Sequence, residues 1–173
     1  IIGGYKVNYH NNFATHEHKM GIVEGGNCAI MAGVGPMGLG AIDYALHGPK
    51  KPGLLVVADI NAARLARAER IFSPEYAAKE GVRLVYLDTS AGDTVQRMMD
   101  ISGGKGYDDV YVYAPVSALI EQADAVLAKD GCLNFFAGPT DNKLSARFNF
   151  YDVHYKYTHV AGNTGGNAED MED

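Results

Sequence analysis

The stretch Cys28-Ala29-Ile30-Met31-Ala32-Gly33-Val34-Gly35-Pro36-Met37-Gly38-Leu39 decides how this chain folds. Its first five residues form an unbroken apolar run, the pattern of a strand buried on both faces. From Pro36 to His47 the residues Met37, Leu39, Ile42, Ala45 and Leu46 recur at helical spacing. Between the two stands Gly33-Val34-Gly35-Pro36-Met37-Gly38, a GxGxxG hexapeptide. In a chain with 21 glycines such a hexapeptide alone means little. Placed between a strand end and a helix start, it reads as a dinucleotide-binding turn. Gly33 permits the tight turn, Gly35 lets a pyrophosphate approach the backbone, and Gly38 lets the helix lie close to the strand. Pro36 falls near the first helical position, where its missing N–H costs nothing.

The same alternation continues outward. Leu54 to Asp59 is a second apolar strand, and Asn61 can cap a helix whose stripe is Leu65, Ala68 and Phe72. Val82 to Leu87 makes a third strand, followed by a helix carrying Val95, Met98 and Met99. Val110 to Tyr113 is a fourth, and Val116, Leu119, Ile120, Ala123, Val126 and Leu127 mark the helix after it. Cys132 to Phe136 is a fifth strand and, after a polar connection, Tyr157 to Ala161 a sixth. Strands joined by helical crossovers predict an α/β fold: a doubly wound, parallel, six-stranded Rossmann sheet with helices on both faces, in spatial order 3-2-1-4-5-6.

Residues 1–24 read as a helical lead-in from a separate catalytic domain, and 25–173 as the nucleotide-binding domain. The start at Ile1 without methionine, and the acidic ending Glu169-Asp170-Met171-Glu172-Asp173, which looks like a first helical turn, read as the ends of a piece of a longer chain.

A formal charge of -6 gives no basic face for a nucleic acid. No apolar run is long enough to cross a bilayer, and the start is no signal peptide. Cys28 and Cys132 lie inside apolar runs and read as buried, unpaired thiols, which suits a reducing cytoplasm.

Asp59 closes the second strand 21 residues past Gly38, close to the interval of about 20 expected for the ribose-binding acid. A carboxylate there accepts ribose hydroxyls and repels the 2′-phosphate of NADP, so the expected cofactor is NAD. The alternative is a strand-end Asp that caps the next helix. Ile60 belongs to the same candidate set, and Arg64 either reaches the adenosine or is a solvated helix residue. Ligands of such sheets sit beyond the carboxyl ends of the strands. Asp88 and Thr89 should therefore border adenine, Ala114-Pro115 and Ala137-Gly138 the nicotinamide half, and Asn163-Thr164 the far side.

Hydride transfer needs a metal or an acid/base group on the substrate oxygen, and the sequence offers no catalytic or metal-binding candidate. His16 and His18 are two apart rather than three or four. His154 and His159 have no carboxylate or thiol placed beside them, and no nucleophile motif is present. Two other classes remain open: a module that senses NAD without chemistry, and an S-adenosylmethionine-dependent transferase.

The residues from Gly25 to Leu39 resemble the coenzyme domain of the medium-chain, zinc-dependent alcohol dehydrogenases, as do Asp59 with Arg64-Leu65-Ala66-Arg67-Ala68. Tyr107-Asp108-Asp109-Val110 and Lys129-Asp130-Gly131-Cys132-Leu133 are similar to the starts of that family's fourth and fifth strands. His18-Lys19-Met20-Gly21 and Gly162-Asn163-Thr164-Gly165-Gly166-Asn167 look most like its sorbitol-dehydrogenase-like and sorbose-1-phosphate-reductase-like members. The resemblance implies NAD(P)-dependent oxidation of an alcohol or reduction of a carbonyl, on a polyol, sugar or sugar phosphate. It implies a catalytic zinc whose ligands lie in another domain, so that this chain alone would bind cofactor but not react. It also places Asn8 to Asn11 in a loop near the nicotinamide, and implies a homodimer or higher oligomer paired through edge strands.

Overall fold

The structure, a computed structural model, describes residues 1–171. Six parallel strands form one sheet: β3 (Asn27–Met31), β4 (Leu54–Asp59), β5 (Arg83–Asp88), β6 (Tyr107–Val112), β7 (Leu127–Phe135) and β8 (His159–Gly162). Their spatial order is β5-β4-β3-β6-β7-β8, the doubly wound order expected. The first crossovers run through α2 (Pro36–His47), then α3 (Ala62–Ile71) and α4 (Pro74–Lys79). The next run through α5 (Thr94–Ile101), α6 (Ser117–Ala125) and α7 (Phe150–Lys156).

Alternate residues of each strand feed two cores, as a sheet covered on both sides requires. Cys28 and Ile30 face Ala41, Ile42, Ala45 and Leu46 of α2, with Leu65 and Ala68 of α3 in the same cluster. Ala29 and Met31 face the opposite cluster, which holds Met98 of α5 and Ala123 of α6. Both thiols are free and buried.

The lead-in departs from expectation. Only α1 (Ile2–Val7) is helical; β1 (Tyr9–Asn12) and β2 (Glu17–Met20) follow as an antiparallel hairpin pairing Tyr9 with Met20 and Asn12 with Glu17. The helix stops where Asn8 and His10 turn inward to buried polar partners, which a periodicity of apolar residues does not register.

Three smaller differences have local causes. The helix expected to run to Leu127 ends at Ala125, because Leu127 already pairs with Tyr107 as the first residue of β7. The polar connection before β8 contains α7, capped by the Asn149 side chain on the amides of Tyr151 and Asp152. At the end of the chain, Glu169–Met171 forms a single 3-10 turn, and Glu172 and Asp173 lie outside the described residues.

Candidate cofactor-binding site

The turn between β3 and α2 is closed by contacts that only glycine allows. A Cβ on Gly33 would stand 1.9 Å from Cγ2 of Ile30, and one on Gly38 would stand 1.8 Å from the Gly33 carbonyl oxygen. A Cβ on Gly35 would meet nothing within 4 Å. Gly35 is the N-cap of α2 and supplies no side-chain cap, whereas α3, α4, α5 and α7 are capped by Asn61, Ser73, Asp93 and Asn149. The amides of the first turn of α2 are thus left to whatever fills the space above Gly35. An uncapped helix start with open space in front of it is a place for an anion.

Two cavities flank this turn at the carboxyl ends of the strands. One, of about 370 Å³, runs from Gly35, Pro36, Met37 and Gly38 to Tyr113, Phe136, Ala137 and Gly138. The other, of about 310 Å³, is bounded by Ala32, Asp59, Ile60, Thr89 and Ala114, with Val116 at the start of α6 and Leu119 and Gln122 within it. Ala32 belongs to both and has φ 56°, a left-handed conformation that costs a non-glycine residue on the order of 1 kcal/mol.

Asp59 ends β4 on the rim of the second cavity, and its Oδ1 accepts the Asn61 N–H at 2.9 Å. Asn61 itself caps α3 through the Arg64 amide at 3.0 Å. Asp59 therefore does not cap α3, a role that Asn61 fills; it shapes the turn leading into that cap and still borders the cavity. Ile60 is 72% exposed, an apolar side chain held over an open space.

Several candidates fall outside these cavities. Val34 is buried in the core behind the turn, Arg64 is an exposed helix residue, and Pro115 is skipped between Ala114 and Val116. Asp88 turns back to the loop after it, where the Ser90 hydroxyl and N–H hold its carboxyl below the usual range. Asn163 and Thr164 border a different cavity, with Gly3, Lys6 and Asp170. Asn8 and Asn11 bond to Asp109 and Asp130 and line neither cavity beside the turn.

Tyr113 and Phe136 were not anticipated, although each directly follows a strand, where the carboxyl-end rule points. Val116, Leu119 and Gln122 left no distinguishing signal, because a helix face lining a cavity has the spacing of one lining a core. Among the described residues no group of three or more His, Cys, Asp or Glu could hold a metal ion, so the residues here do not fit a zinc site.

Residues 36–173 match the family model described as zinc-binding dehydrogenase. The chain belongs to that family. Over 172 residues it is 50% identical to the mannitol-1-phosphate 5-dehydrogenase of Aliivibrio fischeri, covering 99% of this chain and 41% of that protein. It is 48% identical to the L-sorbose 1-phosphate reductase of Klebsiella pneumoniae, covering 99% of this chain and 40% of that one. The chain thus spans about two fifths of the length of these relatives. A solved zinc-binding dehydrogenase structure from Sinorhizobium meliloti 1021, bound to NADP, superposes with a TM-score of 0.68 at 20% identity. It covers 88% of this chain and 41% of its own, and it speaks to the fold. No described helix is long and apolar enough to cross a membrane.

Proposed function

We propose that this chain is the coenzyme-binding part of a zinc-dependent oxidoreductase that uses NAD(H) and acts on a polyol, sugar or sugar phosphate. The observation that carries the reading is the open space above Gly35, set against the steric closure at Gly33 and Gly38. In this reading the amides of Met37 and Gly38 hold the pyrophosphate, Asp59 and Ile60 border the adenosine ribose, and Tyr113 and Phe136 wall the nicotinamide side. The cofactor supplies the hydride acceptor or donor; the chain binds it, orients it and shields one side from water. The carboxylate of Asp59 favours NAD over NADP, because a 2′-phosphate would meet a like charge.

The substrate class rests on the two relatives, both named for phosphorylated sugars or sugar alcohols. No separate observation favours a sensor or a methyl transferase. β8 is the end strand of the sheet, and its outer edge supports pairing with a second copy. The two unpaired buried thiols support a cytoplasmic setting.

Calorimetry on the protein with NADH, NADPH and S-adenosylmethionine tests the cofactor. Saturable NADH binding is the expected result; tight S-adenosylmethionine with no dinucleotide would refute it. Reduction of NAD by sugar alcohols and their phosphates, followed by absorbance on the intact enzyme with zinc, tests the substrate class.

A further inference from the structure

A second polar site lies under the arm formed by α1 and the β1–β2 hairpin. His10 is 7% exposed and Asp109 1%, and they meet at 3.0 Å between Nε2 and Oδ1. The other ring nitrogen of His10, Nδ1, lies 3.0 Å from the carbonyl oxygen of Asp130. A carbonyl can only accept, so Nδ1 carries a proton.

The state of Asp109 follows from a chain of amides. Asn134 Nδ2 donates to the Gly4 carbonyl at 2.9 Å, which sets the orientation of that amide. Its Nδ2 also meets Asn8 Oδ1 at 2.7 Å, so Asn8 presents Nδ2 to Asp109 Oδ1, also at 2.7 Å. Asp109 Oδ2 accepts the Val23 N–H at 2.9 Å. Both carboxyl oxygens already serve as acceptors, and the short contact to His10 needs one more proton between Nε2 and Oδ1. Either neutral tautomer beside a charged Asp109 would set lone pair against lone pair at one of the two contacts.

We infer that His10 is a proton-held latch that fastens the N-terminal arm to strands β6 and β7, and that alkali releases it. The partners of the latch come from the whole arm, since Gly4, Asn8, His10, Asn11 and Val23 all join Asp109, Asp130 or Asn134. Other titratable groups lie on the strands beside it. Asp108 lies on β6 and Cys132 on β7, Cys28 is on β3, and Lys19 stands opposite His10 across the hairpin. On β8, His159 has its ring centroid 6.1 Å away, bonds to the carbonyls of Tyr9 and Tyr157, and packs flat on Tyr9.

Burial disfavours the charged ring, but the hydrogen bond and charge of Asp109, with the carbonyl and charge of Asp130, raise His10 above its ordinary 6.5. A base held at a raised value contributes its full stabilisation below 6.5 and loses it as pH climbs through the folded value. The arm is therefore most firmly docked below pH 6.5 and loosens as pH climbs through the raised folded value.

Hydrogen exchange of the intact protein, corrected for the intrinsic rise with pH, reads this directly. From about pH 6 to about pH 9 the protection of hairpin amides should fall about tenfold or more, while β3 and β4 keep theirs. Flat hairpin protection, or equal loss in β3 and β4, would overturn the latch. His10→Gln should lower hairpin protection and shrink its pH dependence; an unchanged pH dependence in this variant would also overturn it. Should that variant fail to fold, nitrogen NMR of the wild-type imidazole decides. Two protonated nitrogens on His10 at neutral pH support the latch, and a ring with one bare nitrogen and no proton shared with Asp109 refutes it.

Discussion

A Cβ added to Gly38 would stand 1.8 Å from the carbonyl oxygen of Gly33, so the first and last glycines of the turn touch through bare backbone. The middle glycine has no such neighbour, since a Cβ on Gly35 meets nothing within 4 Å. The three positions therefore separate stability from binding. Gly38→Ala should destabilise the protein by more than about 2 kcal/mol, because backbone cannot step aside as a side chain can. Gly35→Val should cost about 1 kcal/mol or less, yet weaken NADH binding about a hundredfold or more. Urea unfolding and calorimetry on both variants check the contrast; a Gly35→Val protein that binds NADH normally would contradict it.

Asp59 carries two duties, a turn contact to Asn61 and a place on the cavity rim. Asp59→Ala should weaken NAD about tenfold, the scale of a lost hydrogen bond to a charged group. It should weaken NADP less, because the same change removes a repulsion. An unaltered ratio of the two affinities would leave Asp59 with only its structural duty.

The thiols should be chemically silent in the native state. Burial pushes Cys132 up to about 12, helped by Asp109 and Asp130 and opposed by the Tyr9 amide, and it pushes Cys28 up as well. Reaction needs the thiolate, so Ellman's reagent at about pH 8 should label neither residue until the protein unfolds. Labelling before the unfolding transition would show that the sheet opens locally near one of them.

The outer side of β8 offers unpaired backbone to a second copy. Val160→Glu places a charge at the middle of that edge, and two such charges would face each other across a symmetric pair. Light scattering should find the wild type dimeric and the variant monomeric. A monomeric wild type would remove edge pairing from the account.

How much of this was readable beforehand depended on the kind of force involved. The sheet order and both cores were legible because buried strands and amphipathic helices leave periodic apolar patterns, as at Ala29–Met31 and Ala41–Leu46. The glycine turn was legible because its neighbours on either side were. The arm was not, since its fold is set by Asn8 and His10, polar residues whose partners lie near positions 109, 130 and 134. Nothing local marks such a residue as buried. The same holds for Asn163 and Thr164, whose position follows how the chain after β8 packs on α1, a tertiary choice with no short-range trace.

The bonds between the arm and the sheet span 86 to 150 residues of sequence. On a ribosome adding about 5–20 residues per second, Asn8 and His10 would wait several seconds or more before Asp109 and Asp130 emerged. Through that interval the hairpin lacks the β6 and β7 groups that hold it in the folded domain. Residues 2–20 are thus made well before the strands that hold them, and they take their final place late.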